Sequence, residues 1–341
     1  MYSEKYFYTK ILQLESHDEM RTYIDKEKAY NQFETKVNGK TRHIDAIDRE
    51  SGLYLLQRRL LDNFLCDIPL PDCVCGFVKG KSYLDFLTPH CNKKFYLRLD
   101  IKDFFSSLKV EKVKEVLMEY VNTTNIIDRA NIINAITYIV TFNRSLPQGA
   151  VTSPQLSNII FRRLDIRIRK YCRKFNITYT RYADDLLFSS NSDSLHKESF
   201  YKMIVRILKD LNLRVNKKKI RKSEEKLVLN GYVIGLKISL SRNKLKNINS
   251  LIYSFENYNG RKSYPKNFEE FAIRLNGEGP IRFKKIKNTT SDWNVIINYL
   301  AGYRSYLLNF SKEKYNTYCK DYSKKVNKIE NMLEKIIGFQ I

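Results

Sequence analysis

The chain has 341 residues, 43% of them hydrophobic and 29% charged, with a formal net charge of +24 and a pI near 9.6. That is enough apolar material for one sizeable core and a second, smaller one, and the cationic excess favours a polyanionic partner. No apolar run approaches the roughly 18 residues of a membrane span, and Met1-Tyr2-Ser3-Glu4-Lys5 lacks the character of a secretory signal, so a cytoplasmic protein without membrane attachment is expected.

Residues 1–30 read as a helical extension. Lys36-Val37-Asn38-Gly39-Lys40-Thr41-Arg42 follows, in which Asn-Gly is a strong hairpin-turn signal that gathers Lys36, Lys40 and Arg42 around one tip. In Phe95-Tyr96-Leu97-Arg98-Leu99-Asp100-Ile101 the apolar residues alternate, which predicts a half-buried strand with Tyr96, Arg98 and Asp100 on its open face. Asp103, just beyond, is placed to cap a helix that begins at Phe104-Phe105.

Ser145-Leu146-Pro147-Gln148-Gly149 must turn, and Ser153-Pro154 has the form of an N-cap followed by Pro at the first helical position. Leu156, Ile160, Leu164 and Ile168 then recur every four residues, the signature of one buried helical face. Tyr179-Thr180-Arg181-Tyr182-Ala183-Asp184-Asp185-Leu186-Leu187-Phe188 reads as strand, tight turn, strand, with two carboxylates at the tip. Adjacent aspartates repel, and an apolar hairpin has little use for them unless a multivalent cation neutralises both. Asp100 is the candidate third carboxylate.

Leu99-Asp100 with Asp103-Phe104-Phe105, then Pro147-Gln148-Gly149 with Thr152-Ser153-Pro154, then Tyr182-Ala183-Asp184-Asp185, resemble motifs A, B and C of reverse transcriptases in order and spacing. The resemblance extends over roughly residues 30–310. Lys36 to Arg42 resembles the fingers hairpin that grips the incoming triphosphate. Gly76-Phe77-Val78-Lys79-Gly80-Lys81-Ser82 resembles the Gly-Phe-x-Lys-Gly-Arg-Ser segment of the bacterial enzymes, Lys81 standing in the usual Arg position. Asn216 and Lys219 fall on the Asn-x-x-Lys of motif D, and Asn230 to Leu236, with Tyr232 and Gly235, resembles the motif E primer grip. Two retron signatures survive in part: His90 of one and Val233 and Gly235 of the other. Both a retron enzyme and another defence-associated bacterial reverse transcriptase therefore fit.

The resemblance implies an α+β right-hand polymerase fold with fingers, a palm built on an antiparallel sheet, and a helical thumb. Fingers are expected at 31–94 and 111–145, palm at 95–110 and 146–238, and thumb at 239–341. Asp100 and Asp184 are expected to bridge two Mg²⁺ ions, Mn²⁺ being an acceptable substitute, with help from the Ile101 carbonyl and with Asp185 completing the cluster. Phe105 is expected to be the gate against the ribose 2′-hydroxyl. Lys36, Lys40, Arg42, Gln148, Gly149 and Lys219 are expected at the dNTP, and Lys79, Lys81, Tyr182, Asn216, Tyr232, Gly235 and Arg304 at nucleic acid. The implied activity is RNA-directed DNA synthesis on a structured noncoding RNA that supplies template and primer and stays with its cDNA, in an antiphage system with a separate effector protein. An RNA-dependent RNA polymerase and a nonenzymatic RNA-binding scaffold are the alternatives from other classes.

Over residues 240–341 there are 19 Lys or Arg against 9 Asp or Glu, as expected of helices that hold a duplex through its phosphates while burying Tyr299, Tyr303 and Tyr306. No RNase H or endonuclease module is expected within these 341 residues. The six cysteines, at 66, 73, 75, 91, 172 and 319, match no standard zinc spacing and are expected to be reduced thiols.

Overall fold

A computed structural model describes residues 3–37, 40–280, 283, 286–287, 289–311 and 320–339. The chain divides into two compact units, residues 1–89 with 93–224, and residues 90–92 with 225–341.

The first unit carries the site. Its hairpin pairs β1 (Tyr30–Val37) with β2 (Lys40–Ile47), and the Val37↔Lys40 register leaves a two-residue connection, as Asn-Gly demands. The side chains of Lys36, Lys40 and Arg42, and the turn itself, lie outside the described residues. A four-stranded antiparallel sheet follows, made of β3 (Phe95–Asp100), β4 (Thr178–Tyr182), β5 (Asp185–Ser190) and β6 (Arg221–Glu224), in the spatial order β4-β5-β3-β6. β5 is buried along its whole length, so no side chain of it faces water.

β3 differs from the half-open strand expected. Both of its faces are covered, with Tyr96 fully buried beside Leu97 and Leu99, and Asp100 only 2% exposed. Tyr96 tolerates burial because its hydroxyl donates to the Lys93 carbonyl at 2.7 Å. The helix Ser153–Lys174 lies against the sheet through Leu156, Ile160, Leu164 and Ile168, all buried as their spacing requires. It starts one residue earlier than the capping reading placed it, with Thr152 at the N-cap, Ser153 first and Pro154 second. Pro is tolerated there because first-turn N–H groups have no intrahelical partner. Asp103 does precede a short helix, Phe104–Ser107, but its carboxylate caps nothing; its backbone is left-handed and its carbonyl accepts from Ser106 and Ser107.

The second unit holds a three-stranded antiparallel sheet of β7 (Leu227–Leu229), β8 (Tyr232–Ile234) and β9 (Ile238–Leu240). Its helices include Arg242–Glu256, Phe268–Glu278, Thr290–Leu308 and Lys320–Gly338. Ile248, Leu251, Phe271, Leu300, Ile329 and Ile336 form its buried seam. Tyr299, Tyr303 and Tyr306 meet ring to ring in succession, first tilted and then edge-on, all half-buried. Among the described residues all cysteines are free, and no helix is long and apolar enough to cross a membrane.

Candidate active site

Strand register brings the acids together. β5 pairs with both β3 and β4, so Asp185 faces Asp100 on one side and Tyr182 on the other, and Ala183-Asp184 is the two-residue turn between. Ala183 adopts φ 54°, as the first central position of so tight a hairpin requires. The turn is tied to β3 by the Ile101 N–H, which donates to the Asp184 carbonyl at 2.9 Å. The chain after Ile220 enters β6, and the segment before it bridges Ile101 to Val215, so the Asn216 N–H donates to the Asp100 carbonyl at 2.7 Å. Three segments distant in sequence thus meet at Asp100.

The carboxylates sit in distinct environments. Asp100 accepts from the Asn216 side-chain amide at 3.2 Å and from the Lys219 ammonium. Asp185 accepts from Arg98 Nε at 2.9 Å and from a second guanidinium nitrogen, while Arg98 approaches Asp100 only to 4.0 Å. Burial raises the Asp184 carboxyl above its ordinary value, and the nearby Asp100 charge adds to it. Burial also pushes Asp185 up to about 6, against the lowering pull of Arg98.

These residues present hard oxygen donors, the chemistry Mg²⁺ prefers, and the Ile101 carbonyl accepts no backbone hydrogen bond among the described residues. Asp100, Asp184 and that carbonyl fit a divalent ion. Asp185 is turned toward Arg98 and Asp100 toward Lys219, so among the described residues no three carboxylate, His or Cys side chains form a ready cage.

An aromatic shelf surrounds the turn. Phe104 is buried, 6.1 Å from the Phe161 ring, whereas Phe105 is only partly buried and faces Phe77, which lies 6.3 Å from Tyr182. Of the two phenylalanines, Phe105 is therefore the one on the site's side. Gly76 lets the turn approach: a Cβ there would stand 2.6 Å from the Ala183 nitrogen. Gly149 does the same for the loop at Gln148, with φ 138° and a hypothetical Cβ 2.5 Å from the Asp45 carbonyl oxygen. The Asp45 N–H donates to the Gln148 carbonyl at 3.0 Å, which fastens this loop to β2 and leaves the Gln148 side chain exposed.

The residues expected at nucleic acid are dispersed. Lys79 is exposed, but Lys81 donates to the carbonyls of Asp72 and Val74 at 2.6 and 2.7 Å, so its ammonium braces its own loop rather than standing free. In the second unit Tyr232 stacks on Phe310 at 5.9 Å, Gly235 accepts from the Asn92 N–H at 2.8 Å, and Arg304 pairs with Glu330 at 2.6 Å.

Sequence reasoning passed over the buried support. Arg181 and Asp165 are both fully buried; Arg181 Nε lies 2.9 Å from one Asp165 oxygen and a terminal nitrogen 2.7 Å from the other. Burial alone would lower the Arg181 pKa, but the Asp165 charge overrides it and leaves it raised. Arg181 also donates to the Asn158 side chain at 3.0 Å and to the Ala183 carbonyl at 3.1 Å, and Asn158 donates to the Gly76 carbonyl at 2.9 Å. The carbonyl of the catalytic-looking turn thus hangs on a buried guanidinium. A faint signal existed: Arg181 is the only charged residue between Ile177 and Ala183, two residues before the turn's Ala183. The strand alternation already puts Arg98 on one face with Asp100; what the structure adds is its partner, Asp185.

Paired carboxylates at a hairpin tip, opposed by a third on the neighbouring strand and backed by a long helix, make this sheet a polymerase palm. Residues 36–248 match the family described as reverse transcriptase (RNA-dependent DNA polymerase), and the chain belongs to that family. It is 32% identical over 228 residues to the retron Ec86 reverse transcriptase of Escherichia coli, covering 66% of this chain and 69% of that protein. It is 28% identical over 232 residues to the retron Mx65 reverse transcriptase of Myxococcus xanthus, covering 64% of this chain but only 54% of that one. Apo telomerase from Candida tropicalis shares the right-hand fold, with a TM-score of 0.50 at 12% identity over 91% of this chain and 62% of that structure.

Proposed function

We propose that this chain is an RNA-directed DNA polymerase of the retron type, copying a dedicated structured noncoding RNA in antiphage defence, in the cytoplasm and alongside a separate effector protein. The observation that carries the polymerase reading is the β3–β5 register, which sets Asp100 opposite Asp185 with Asp184 in the adjoining turn. Asp100, Asp184 and the Ile101 carbonyl would hold two Mg²⁺ ions (or Mn²⁺), which when bound would supply activation of the primer 3′-hydroxyl and neutralisation of the triphosphate. Arg98 keeps the Asp185 carboxylate oriented. Lys219 Nζ, already within hydrogen-bond reach of Asp100, is the group to hand a proton to the departing pyrophosphate oxygen. Asn216 holds the Asp100 carboxylate in place.

Phe105 closes the sugar side of the pocket, which excludes a 2′-hydroxyl and selects dNTPs. Lys36, Lys40 and Arg42 grip the triphosphate, while Gln148 and Gly149 line the nucleotide edge. Tyr182 and Lys79 serve the primer–template, as do Tyr232, Gly235 and Arg304 of the second unit. Lys81 contributes by shaping the loop that carries Lys79.

Primer extension in Mg²⁺ tests this reading. Asp184→Asn or Asp100→Asn should lose at least about a thousandfold of DNA synthesis, as removal of several kcal/mol of transition-state stabilisation implies, while RNA binding and circular dichroism stay near wild type. Near-normal turnover by either variant overturns the assignment. For the retron reading, purification from the native host followed by sequencing should yield one dominant RNA with attached complementary DNA. DNA made without a dedicated RNA points instead to another defence-associated enzyme.

A further inference from the structure

The first unit also carries a cationic cleft, lined by residues that take no part in the proposed chemistry. Lys102, Lys209, Arg214 and Lys217 line one cavity of about 620 Å³ together with the Tyr201 ring, and no carboxylate is among its lining residues. A second cavity of about 560 Å³ adjoins it, sharing Lys102, Asn212 and Arg214 and adding Lys109 and Lys112. Asp103, Glu111 and Glu115 belong to this second cavity alone, and there Lys112 is already paired with Glu115 and Glu111 with Arg144. Among the described residues, Lys209, Arg214 and Lys217 make no ion pair, and Lys102 reaches only the exposed Asp103, at 3.8 Å.

The frame beneath these cations is rigid. The Lys102 N–H donates to the Arg214 carbonyl at 2.8 Å, the Ile101–Val215 bridge welds the two segments, and the Asn212 N–H donates to Lys209 at 2.8 Å with Asn212 in the left-handed region. Like charges held together on fixed backbone repel one another, and among the described residues Lys209, Arg214 and Lys217 have no carboxylate to offset them; an external polyanion does so. A protein that merely needed solubility would not gather its cations in one concavity. Lys102, which lines both cavities, follows Asp100 by two residues in sequence.

Resting on the reading of the chain as an RNA-templated polymerase, we propose that this cleft is a docking site for the phosphodiester backbone of the bound RNA, with Tyr201 offering a stacking face to an unpaired base. A free triphosphate suits it less, because it arrives with a divalent ion and the first cavity has no carboxylate to share that ion. RNA brings regularly spaced single charges, which match several separated cations, and bases that stack on an aromatic ring.

The experiment uses the full chain, with the triple variant Lys209→Gln, Arg214→Gln, Lys217→Gln and a charge-keeping control, Lys209→Arg, Arg214→Lys, Lys217→Arg. The probe is a fluorescently labelled RNA stem–loop, followed by anisotropy across a KCl series. The neutralised variant should bind about tenfold or more weakly near physiological salt, and the slope of log affinity against log salt should shrink by about two to three, the three lost phosphate contacts. The control should keep the wild-type slope. Extension of a saturating short RNA–DNA hybrid should be unchanged in both. An unaltered slope and affinity in the neutralised variant overturns the proposal, as does a raised KM for dNTP with RNA binding intact, which would assign the cleft to the nucleotide. Failure of the wild type itself to make DNA would instead sink the polymerase reading, so the two failures are distinct.

Discussion

Asp165→Leu leaves the Arg181 guanidinium fully buried with its charge uncompensated, its remaining partners being Asn158, the Ala183 carbonyl and the Phe161 ring at 4.4 Å. Breaking a buried pair from one side costs about 3–5 kcal/mol. The Tyr179 hydroxyl, which donates to Asp165 at 2.8 Å, is orphaned in the same step, a further loss of about 1–3 kcal/mol. The two losses share one site and do not simply add, so a destabilisation of about 4–6 kcal/mol is expected. Urea unfolding followed by circular dichroism would register it in the transition of the first unit. The double variant Asp165→Leu, Arg181→Met removes both charges and should recover at least about 2 kcal/mol of the loss, because apolar groups of similar size replace a desolvated pair at small net cost. It also keeps the test alive should the single variant fail to fold. A single variant within about 1 kcal/mol of wild type, or a double variant no better than the single, would refute the claim that a buried charge pair supports the turn.

Phe105→Ala should raise ribonucleotide incorporation relative to deoxyribonucleotide in a competition assay, since Phe105 rather than the buried Phe104 stands on the site's side; a fall in activity with unchanged preference counts against it. The raised Asp185 pKa, about 6, means that without divalent ion the folded state holds a proton the unfolded chain releases between its ordinary 3.8 and 6. That stability is fully present below pH 3.8 and lost as pH rises through 6, about 3 kcal/mol at most, so metal-free protein should melt higher near pH 5 than near pH 7.5. Added Mg²⁺ should narrow that gap, and a melting temperature that rises over the same interval without metal would contradict the reasoning. Gly149→Ala should destabilise the first unit by about 2 kcal/mol or more, because a side chain must enter at φ 138° against the Asp45 carbonyl; an unchanged melting temperature would show that the loop yields freely.

Much of the site could be read in advance because polymerase chemistry needs particular residue types at particular turns. Tyr182-Ala183-Asp184-Asp185 specifies a hairpin through its own local grammar, and the four-residue apolar spacing from Leu156 to Ile168 specifies a helix that must bury one face. The alternation from Phe95 to Ile101 specifies a strand, and the excess of Lys and Arg specifies a polyanionic partner. Each of these is a property of neighbours along the chain.

Pairings across the fold are not. That β3 is covered on both faces, so that Asp100 is buried rather than open, depends on β5, β6 and the elements packed against them. Arg98 choosing Asp185, Lys219 choosing Asp100, Lys81 folding back on Asp72 and Val74, and Arg181 suspending the Ala183 carbonyl are choices among many cations and many acceptors. Composition and spacing leave every such pairing open, because the interaction of two charges is decided by distance and desolvation, and only the tertiary structure sets those.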